Sequence, residues 1–292
     1  MGGSAGASEG ADAAFNAIQR HLVERQGLNL SRYKPTYLRR RLLVRVRALR
    51  LPGLEAYARH LRRHPEEIAL LQRALSIKVT GFFRNPACFE FLGEHVVPDL
   101  LKAAADEGRR VRAWSAGCAT GEEAWSLAAL FAGVAEALHV APRVDILGTD
   151  VDEVALDRAR AASYPVAAVA AVPAAAAAQF ETRPDGTAGP RRRLRRVVTF
   201  QCENLLDSAG HDPFDLVVCR NVLIYFGVDQ QAALLSRFAA SLRAGGCLML
   251  GRVERLFGPA KSQFGLVSAR DRIYRRLAAV SPAALVGESA CA

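Results

Sequence analysis

Three short stretches carry residue types and spacings that suit the binding of a nucleoside. In VRAWSAGCATGEEAWS, residues 111–126, Gly117, Thr120 and Gly121 fall where an apolar run gives way to a helical one, and Glu122 and Glu123 open the helix. Glycines at a strand-to-helix turn let the backbone approach a ligand closely and aim helix N–H groups at it. In VDILGTD, residues 144–150, the run ends on Asp150. An acid at the tip of a second parallel strand can accept hydrogen bonds from both ribose hydroxyls; Asp150 or Asp152 can equally cap the helix that follows. In FDLVVCRNVLIYF, residues 214–226, an apolar strand ends at Arg220 and Asn221, with Tyr225 a turn later. Polar residues at the mouth of a buried strand face the ligand crevice of an open sheet. Each stretch alone has a plain structural explanation, but together they point to a nucleoside cofactor.

Elements of two kinds must position these residues. After residue 110, short β-rich runs alternate with helical ones. Strands are expected at Val111 to Ser115, Val144 to Leu147, Phe214 to Cys219 and Cys247 to Leu250; helices at Glu122 to Leu138, Val151 to Ala162 and Asp229 to Leu242. Such alternation implies a parallel sheet covered by helices, and two last runs, Phe264 to Val267 and Ile273 to Arg276, suggest an antiparallel hairpin at one edge. Between Ala162 and Phe200 the alternation fails. That stretch reads as an insertion, with a turn at Pro184-Asp185-Gly186 and a strand over Leu194 to Phe200. Ahead of all this, apolar residues at threes and fours from Ala13 to Ser76, broken at Pro52-Gly53 and Pro65, predict four short helices. Residues 1–11, rich in Gly, Ala and Ser, are expected to be disordered.

Composition narrows the class. The 292 residues are 51% hydrophobic and 23% charged, which excludes collagen-like, disulfide-scaffold and largely disordered chains. Thirty-nine Lys and Arg against 29 Asp and Glu leave a net charge of +10, suited to an acidic partner. Eight basic residues and no acid lie between positions 31 and 50, and Arg191 to Arg196 adds five arginines around Leu194. On a helical wheel Leu38, Leu42, Val46 and Leu49 form one inward stripe. Arg39, Arg40, Arg47 and Arg50 gather on one flank, a candidate docking face, while Arg41 and Arg45 lie on the other. The six cysteines form no CxxC pair and no metal-ligand spacing with His, so they read as reduced core thiols of a cytoplasmic protein, with no metal expected. The first residues lack the marks of a signal peptide, and the Ala/Val-rich Tyr164 to Phe180, interrupted by two prolines, is too weakly apolar to span a bilayer.

The ordered blocks VTGFFRN (residues 79–85), WSAGCATGEEAWSLA (114–128), LGTDVD (147–152), ENLLD (203–207) and FDLVVCRNVLIYF resemble the chemotaxis receptor-glutamate methyltransferases, the CheR family, over nearly all of residues 13–277. The resemblance implies a Rossmann-like, mostly parallel α/β methyltransferase sheet with an antiparallel edge hairpin, over residues 81–277. It also implies a small all-helical N-terminal domain, residues 12–80, and an inserted β-subdomain, residues 163–200, leaving 278–292 as a tail. It further implies S-adenosyl-L-methionine as cofactor and S-adenosyl-L-homocysteine as product. By position, Thr80, Arg84, Glu123, Asp150, Asn204, Leu205, Arg220 and Asn221 would contact the cofactor, Glu123 by its methionine part and Asp150 by its ribose, and the glycine turn adds Gly117 as a further cofactor-binding candidate. Arg84 and Tyr225 would lie near the transferred methyl. The implied partners are the cytoplasmic helices of chemoreceptors, met by a monomer recruited to receptor arrays, without nucleic acid or membrane insertion.

Two departures from the family pattern stand out. Lys78 replaces an Asn two residues before Thr80, and residues 251–254 read GRVE where GHSE is usual. They motivate a second reading, a cofactor-binding signalling scaffold with little turnover. A third, a nucleic-acid methyltransferase, shares the cofactor fold and suits the charge. Against it, Asn221-Val222-Leu223-Ile224-Tyr225 stands where base methylases carry an Asn/Asp-Pro-Pro-aromatic block, and no aromatics interleave the arginines.

Overall fold

The computed structural model describes residues 3–26, 30–75, 80–170, 172–207 and 211–278, and the chain divides into two units. Lys78, Cys291 and nearly all of the expected tail lie outside the described residues. One unit comprises residues 1–78 together with 225–230; the other holds the rest.

The first unit is built from four helices: α1 (Gly3–Gln26), α2 (Pro35–Ala48), α3 (Leu54–Arg63) and α4 (Glu67–Leu75). The first begins inside the stretch expected to be disordered. Ala5, Ala7, Ala11, Ala13 and Ala14 carry the strongest helix propensity and outweigh the glycines among them. Pro35, with φ already fixed near the helical value, opens α2. Its stripe Leu38, Leu42 and Val46 is buried against Phe15, Ile18, Tyr57, Leu61 and Leu71, and Leu49 packs at its margin. Arg41 and Arg45, on the other flank, are not left to water. Arg41 donates to the Ala74 carbonyl, and Arg45 forks onto the buried Glu67 at 2.7 and 2.9 Å. Tyr57 donates a third hydrogen bond to Glu67, 2.9 Å, and together these partners outweigh burial and hold its carboxyl below the usual range. Residues 225–230 join this unit because Tyr225 packs on Tyr37 (4.7 Å between ring centres), Phe226 packs on Tyr33 (5.1 Å) and Lys34 N–H donates to the Tyr225 carbonyl (3.0 Å).

The second unit opens with α5 (Pro86–His95) and α6 (Val97–Asp106), to which the periodicity assigned no element. Then come β1 (Val111–Ala116), α7 (Glu122–Ala137), β2 (Val144–Asp150) and α8 (Glu153–Ala161). The inserted stretch holds β3 (Tyr164–Pro165), α9 (Val166–Ala170), α10 (Ala174–Ala177), β4 (Phe180–Thr182), β5 (Thr187–Pro190) and α11 (Arg192–Arg195). Last are β6 (Val198–Cys202), β7 (Phe214–Cys219), α12 (Val228–Ser241), β8 (Leu242–Leu250), β9 (Phe264–Ser268) and β10 (Ile273–Arg276). Seven strands form one sheet in the order β6-β2-β1-β7-β8-β10-β9, parallel from β6 through β8 and antiparallel at β10 and β9. From β1 the chain winds outward through β2 to β6, then returns to lay β7 on the other side of β1. That reversal opens a crevice at the carboxyl ends of β1 and β7, where open α/β sheets bind ligands.

The strand expected over Leu194 to Phe200 is corrected in part. Leu194 sits buried on the short helix α11, and strand structure begins only at Val198 and runs to Cys202. Pairing decides this: β6 lies parallel to β2 in register Ile146 with Val198, and Ile146 N–H bonds the Val197 carbonyl at 2.7 Å, so the segment belongs to the main sheet. The separate three-stranded sheet β3-β5-β4 turns at Pro184-Asp185-Gly186, where Asp185 Oδ1 accepts from the Thr187 N–H and hydroxyl. Of the described cysteines Cys88, Cys118, Cys219 and Cys247 are buried free thiols, burial pushing Cys247 up to about 11, while Cys202 is exposed at the end of β6. Among the described residues no helix is long and apolar enough to cross a membrane.

Candidate functional site

The turn after β1 is shaped by two strands and an acid. Gly117 and Cys118 both donate their N–H groups to the Thr149 carbonyl, at 2.8 and 2.9 Å, and Ala119 N–H donates to Asp150 Oδ2 at 2.9 Å. Gly117 sits at φ +83°, and a Cβ there would lie 2.5 Å from Val222 Cγ2 in the turn after β7, so glycine is required twice over. Asp150 receives a second N–H, from Asp152, on Oδ1 at 3.0 Å. The helix cap falls to its neighbour, since Asp152 accepts from the Val154 and Ala155 N–H groups that open α8. Asp150 is therefore free of capping, and each carboxylate oxygen keeps acceptor capacity at the strand tip. Burial holds its carboxyl above the usual range, against the pull of those N–H donors.

A buried guanidinium organises the other wall. Arg220, 7% exposed, donates through Nη2 to the Arg84 carbonyl (2.8 Å) and Asn85 Oδ1 (2.9 Å), while Nη1 faces Glu123 Oε2 at 3.5 Å. Glu123 Oε1 accepts from Ser115 Oγ at 2.8 Å, and burial pushes its carboxyl up while Arg220 pulls it down. Arg84 itself is exposed on a tight turn, with Phe83 at φ +47° before it and Asn85 at φ +63° after it. Ser126 of α7 holds that turn by accepting the Phe83 N–H at 2.8 Å. Thr80 reaches Glu122, which also receives the Thr120 hydroxyl at 2.7 Å. Phe83, Asn85, Ala119 and Asn221 are four of the eight non-glycine residues with left-handed backbone among the described residues. Strain of that kind gathers where surrounding structure imposes it on a site.

In the sequence Glu254 stands out only as part of the GRVE departure. Its buried carboxylate accepts three backbone N–H groups, from Asn221 (3.0 Å), Val222 (2.9 Å) and Gly251 (2.6 Å), and so fixes the turn that carries Arg220 and Asn221. The signal available was an acid four residues beyond the apolar run Cys247 to Leu250, at a strand end beside that of β7. Arg252 and Val253, the two substituted positions, are exposed. At the end of β6, Glu203 N–H donates to the Asp150 carbonyl (2.9 Å), Leu205 is buried, and its carbonyl accepts from Arg237 Nη1 at 2.8 Å. Asn204 closes a local turn through the Leu206 N–H (3.1 Å) and Asp207 (2.6 Å).

Gly117, Glu123, Asp150, Arg220, Asn221 and the turn bearing Arg84 thus gather at the carboxyl ends of β1, β2 and β7. Tyr225 belongs to the helical unit, as do Arg39, Arg40, Arg47 and Arg50. Of those arginines Arg40, Arg47 and Arg50 are exposed, whereas Arg39 is spent within the unit, pairing with Asp12 and lying 4.3 Å over the Phe15 ring. The basic stretch holds no acid of its own, but Arg39 and Arg45 find theirs, Asp12 and Glu67, on other helices.

The gathered set has the donors and acceptors that S-adenosylmethionine needs. Arg220 Nε is buried without a hydrogen-bond partner among the described residues, a donor that a carboxylate would satisfy, and Asp150 and Glu123 offer acceptors to hydroxyls and an ammonium. Residues 78–273 match the CheR methyltransferase, SAM binding domain, and residues 13–76 the CheR methyltransferase, all-alpha domain. The chain is 36% identical to chemotaxis protein methyltransferase 2 of Pseudomonas aeruginosa, over 82% of this chain and 85% of that one. It is 31% identical to chemotaxis protein methyltransferase 1 of Vibrio cholerae, over 91% and 97%. It is also 37% identical, over 86% of its length, to an uncharacterised 104.1 kDa protein of Rhodobacter capsulatus, of which it spans 26%. On the two domain matches and these identities, the chain belongs to the CheR methyltransferases.

Proposed function

We propose that this protein transfers the methyl group of S-adenosylmethionine to glutamate side chains on the cytoplasmic helices of chemoreceptors. The observation that carries the reading is the buried Arg220, tied to Glu123 and to the turn bearing Arg84, at the switch point of the sheet. In the proposed arrangement Asp150 accepts from the ribose hydroxyls and Glu123 from the methionine ammonium. Arg220 Nε holds the methionine carboxylate, Asn204 and Leu205 border the base, and Thr80, Gly117 and Asn221 complete the walls.

S-adenosylmethionine, when bound, supplies an electrophilic methyl on a sulfonium. The acceptor needs no general base, because a glutamate of ordinary pKa, about 4.3, is already ionised at neutral pH. The protein's own work is orientation and exclusion of water. Arg84, presented by two left-handed residues, steers the acceptor carboxylate toward the methyl, and the family pattern assigns Tyr225 to the same step. The scaffold reading rested on Lys78 and GRVE; the exposure of Arg252 and Val253, with Gly251 and Glu254 buried, favours turnover.

Incubation with radioactive S-adenosylmethionine and a receptor cytoplasmic fragment is expected to give base-labile methyl esters. Arg84→Ala is expected to lower turnover about 100-fold through lost positioning, and Tyr225→Phe to lower it as well. Cofactor binding without base-labile label on any receptor offered would overturn the proposal.

A further inference from the structure

We propose that His211 is a positioning residue: paired with Glu203, it fixes the segment bearing Asn204 and Leu205 and so sets affinity for S-adenosylmethionine, taking no part in methyl transfer. This rests on the reading above that Asn204 and Leu205 border the cofactor.

His211 Nε2 lies 3.0 Å from both carboxylate oxygens of Glu203, and the two side chains are only 14% and 9% exposed. A carboxylate only accepts, so Nε2 carries the hydrogen and shares it between the two oxygens. The imidazole is itself held edge-on to Trp114 (4.9 Å between ring centres) and Phe214 (5.6 Å), and Trp114 is packed in turn by Phe238. Trp114 Nε1 donates to Thr149 Oγ1 at 2.9 Å, and the Thr149 carbonyl is the acceptor for Gly117 and Cys118. Glu203 donates its N–H to the Asp150 carbonyl. One imidazole thus braces the glycine turn through Trp114 and the Asn204 segment through Glu203, and both attachments lead to Asp150 or the residue before it. Packing alone would need only a ring at position 211. Withdrawing a polar pair from water has a desolvation cost, which points to a requirement on where Glu203, and with it Asn204, must sit.

The test uses the full chain and separates affinity from turnover. His211→Phe keeps a ring against Trp114 without the donor, Glu203→Gln keeps size without the charge, and His211→Gln keeps a donor. Both His211→Phe and Glu203→Gln are expected to raise the Kd for S-adenosylhomocysteine and the KM for S-adenosylmethionine about tenfold, the loss of one charge-assisted hydrogen bond, with kcat within about twofold. The double variant should be no worse than either single one, because the pair acts as a unit, and His211→Gln should recover most of the affinity. A Kd unchanged within about twofold in Glu203→Gln, which leaves the aromatic cluster intact, overturns the proposal even if His211→Phe fails to fold. A fall in kcat at unchanged KM overturns it too. Asn204→Ala separates the two levels: if it leaves affinity unchanged, the reading of the segment has failed. If it weakens binding while the clamp variants do not, the clamp alone has failed.

Discussion

At Glu123 and Asp150, burial raises the carboxyls, while their hydrogen-bond donors, and Arg220 at Glu123, lower them without restoring the ordinary value. In the free protein each therefore binds its proton more tightly than in the unfolded chain. The stability they contribute is fully present below the ordinary carboxylate range and is lost as pH rises through their raised values. A bound ammonium and sulfonium, and hydroxyls donating to Asp150, favour the ionised forms and draw those pKa values down. S-adenosylmethionine binding should therefore release protons, increasingly so as pH falls from neutrality, and affinity should fall through the same window. Calorimetry in buffers of different ionisation enthalpy measures the release directly, and Glu123→Gln should remove part of it and Asp150→Asn the rest. A binding enthalpy independent of buffer through the acid range would show that neither carboxylate changes protonation on binding.

Elements enter where a single residue decides whether two turns can meet. Gly117→Ala places a methyl at φ +83° and 2.5 Å from Val222 Cγ2, whereas Gly108→Ala, at φ +66°, meets nothing within 4 Å. Backbone strain alone should cost about 1 kcal/mol at Gly108, and strain plus the clash about 3 kcal/mol at Gly117. Only the second should also abolish cofactor binding, because relieving the clash moves the turn that Glu254 holds. Denaturant melts with a cofactor titration check both, and equal losses at the two positions would mean Val222 yields freely. The strands feeding these turns were legible in the sequence, because β1 and β7 are buried runs bounded by glycine or polar residues. Three things were not. Helix α5 carries Phe91 off the stripe of Cys88, Phe89 and Leu92, which blurs its period, whereas the stripe Val97, Leu100, Leu101 and Ala104 of α6 has regular helical spacing. The start of β6 depends on pairing with β2, which no local pattern encodes. Glu254 takes two of its three backbone N–H groups, those of Asn221 and Val222, from a turn distant in sequence, so its spacing to Asn221 carries no signal.

Over the molecule as a whole the charge is unbalanced, +10 from 39 basic and 29 acidic residues, and part of the basic excess is already used internally. Arg45 satisfies the buried Glu67, Arg39 meets Asp12, and Arg109 reaches Asp215 at 2.8 Å. What remains for a partner is the exposed set, among which Arg40 and Arg47 lie on one flank of α2. Receptor helices rich in Glu would be attracted over roughly one Debye length, about 8 Å at physiological salt, so the effect belongs to encounter and register more than to tight contact. Arg40→Glu with Arg47→Glu changes the charge of that flank by four units without touching any residue assigned to the cofactor. Receptor methylation at low salt should fall about tenfold in kcat/KM, and its salt dependence should flatten, with the S-adenosylhomocysteine Kd unchanged. Rates measured from low to high ionic strength distinguish this from misfolding, since a damaged helix would lower activity equally at every salt concentration. If the double variant keeps the full salt dependence of the parent, the docking charge lies elsewhere, and the five arginines between 191 and 196 become the next set to reverse.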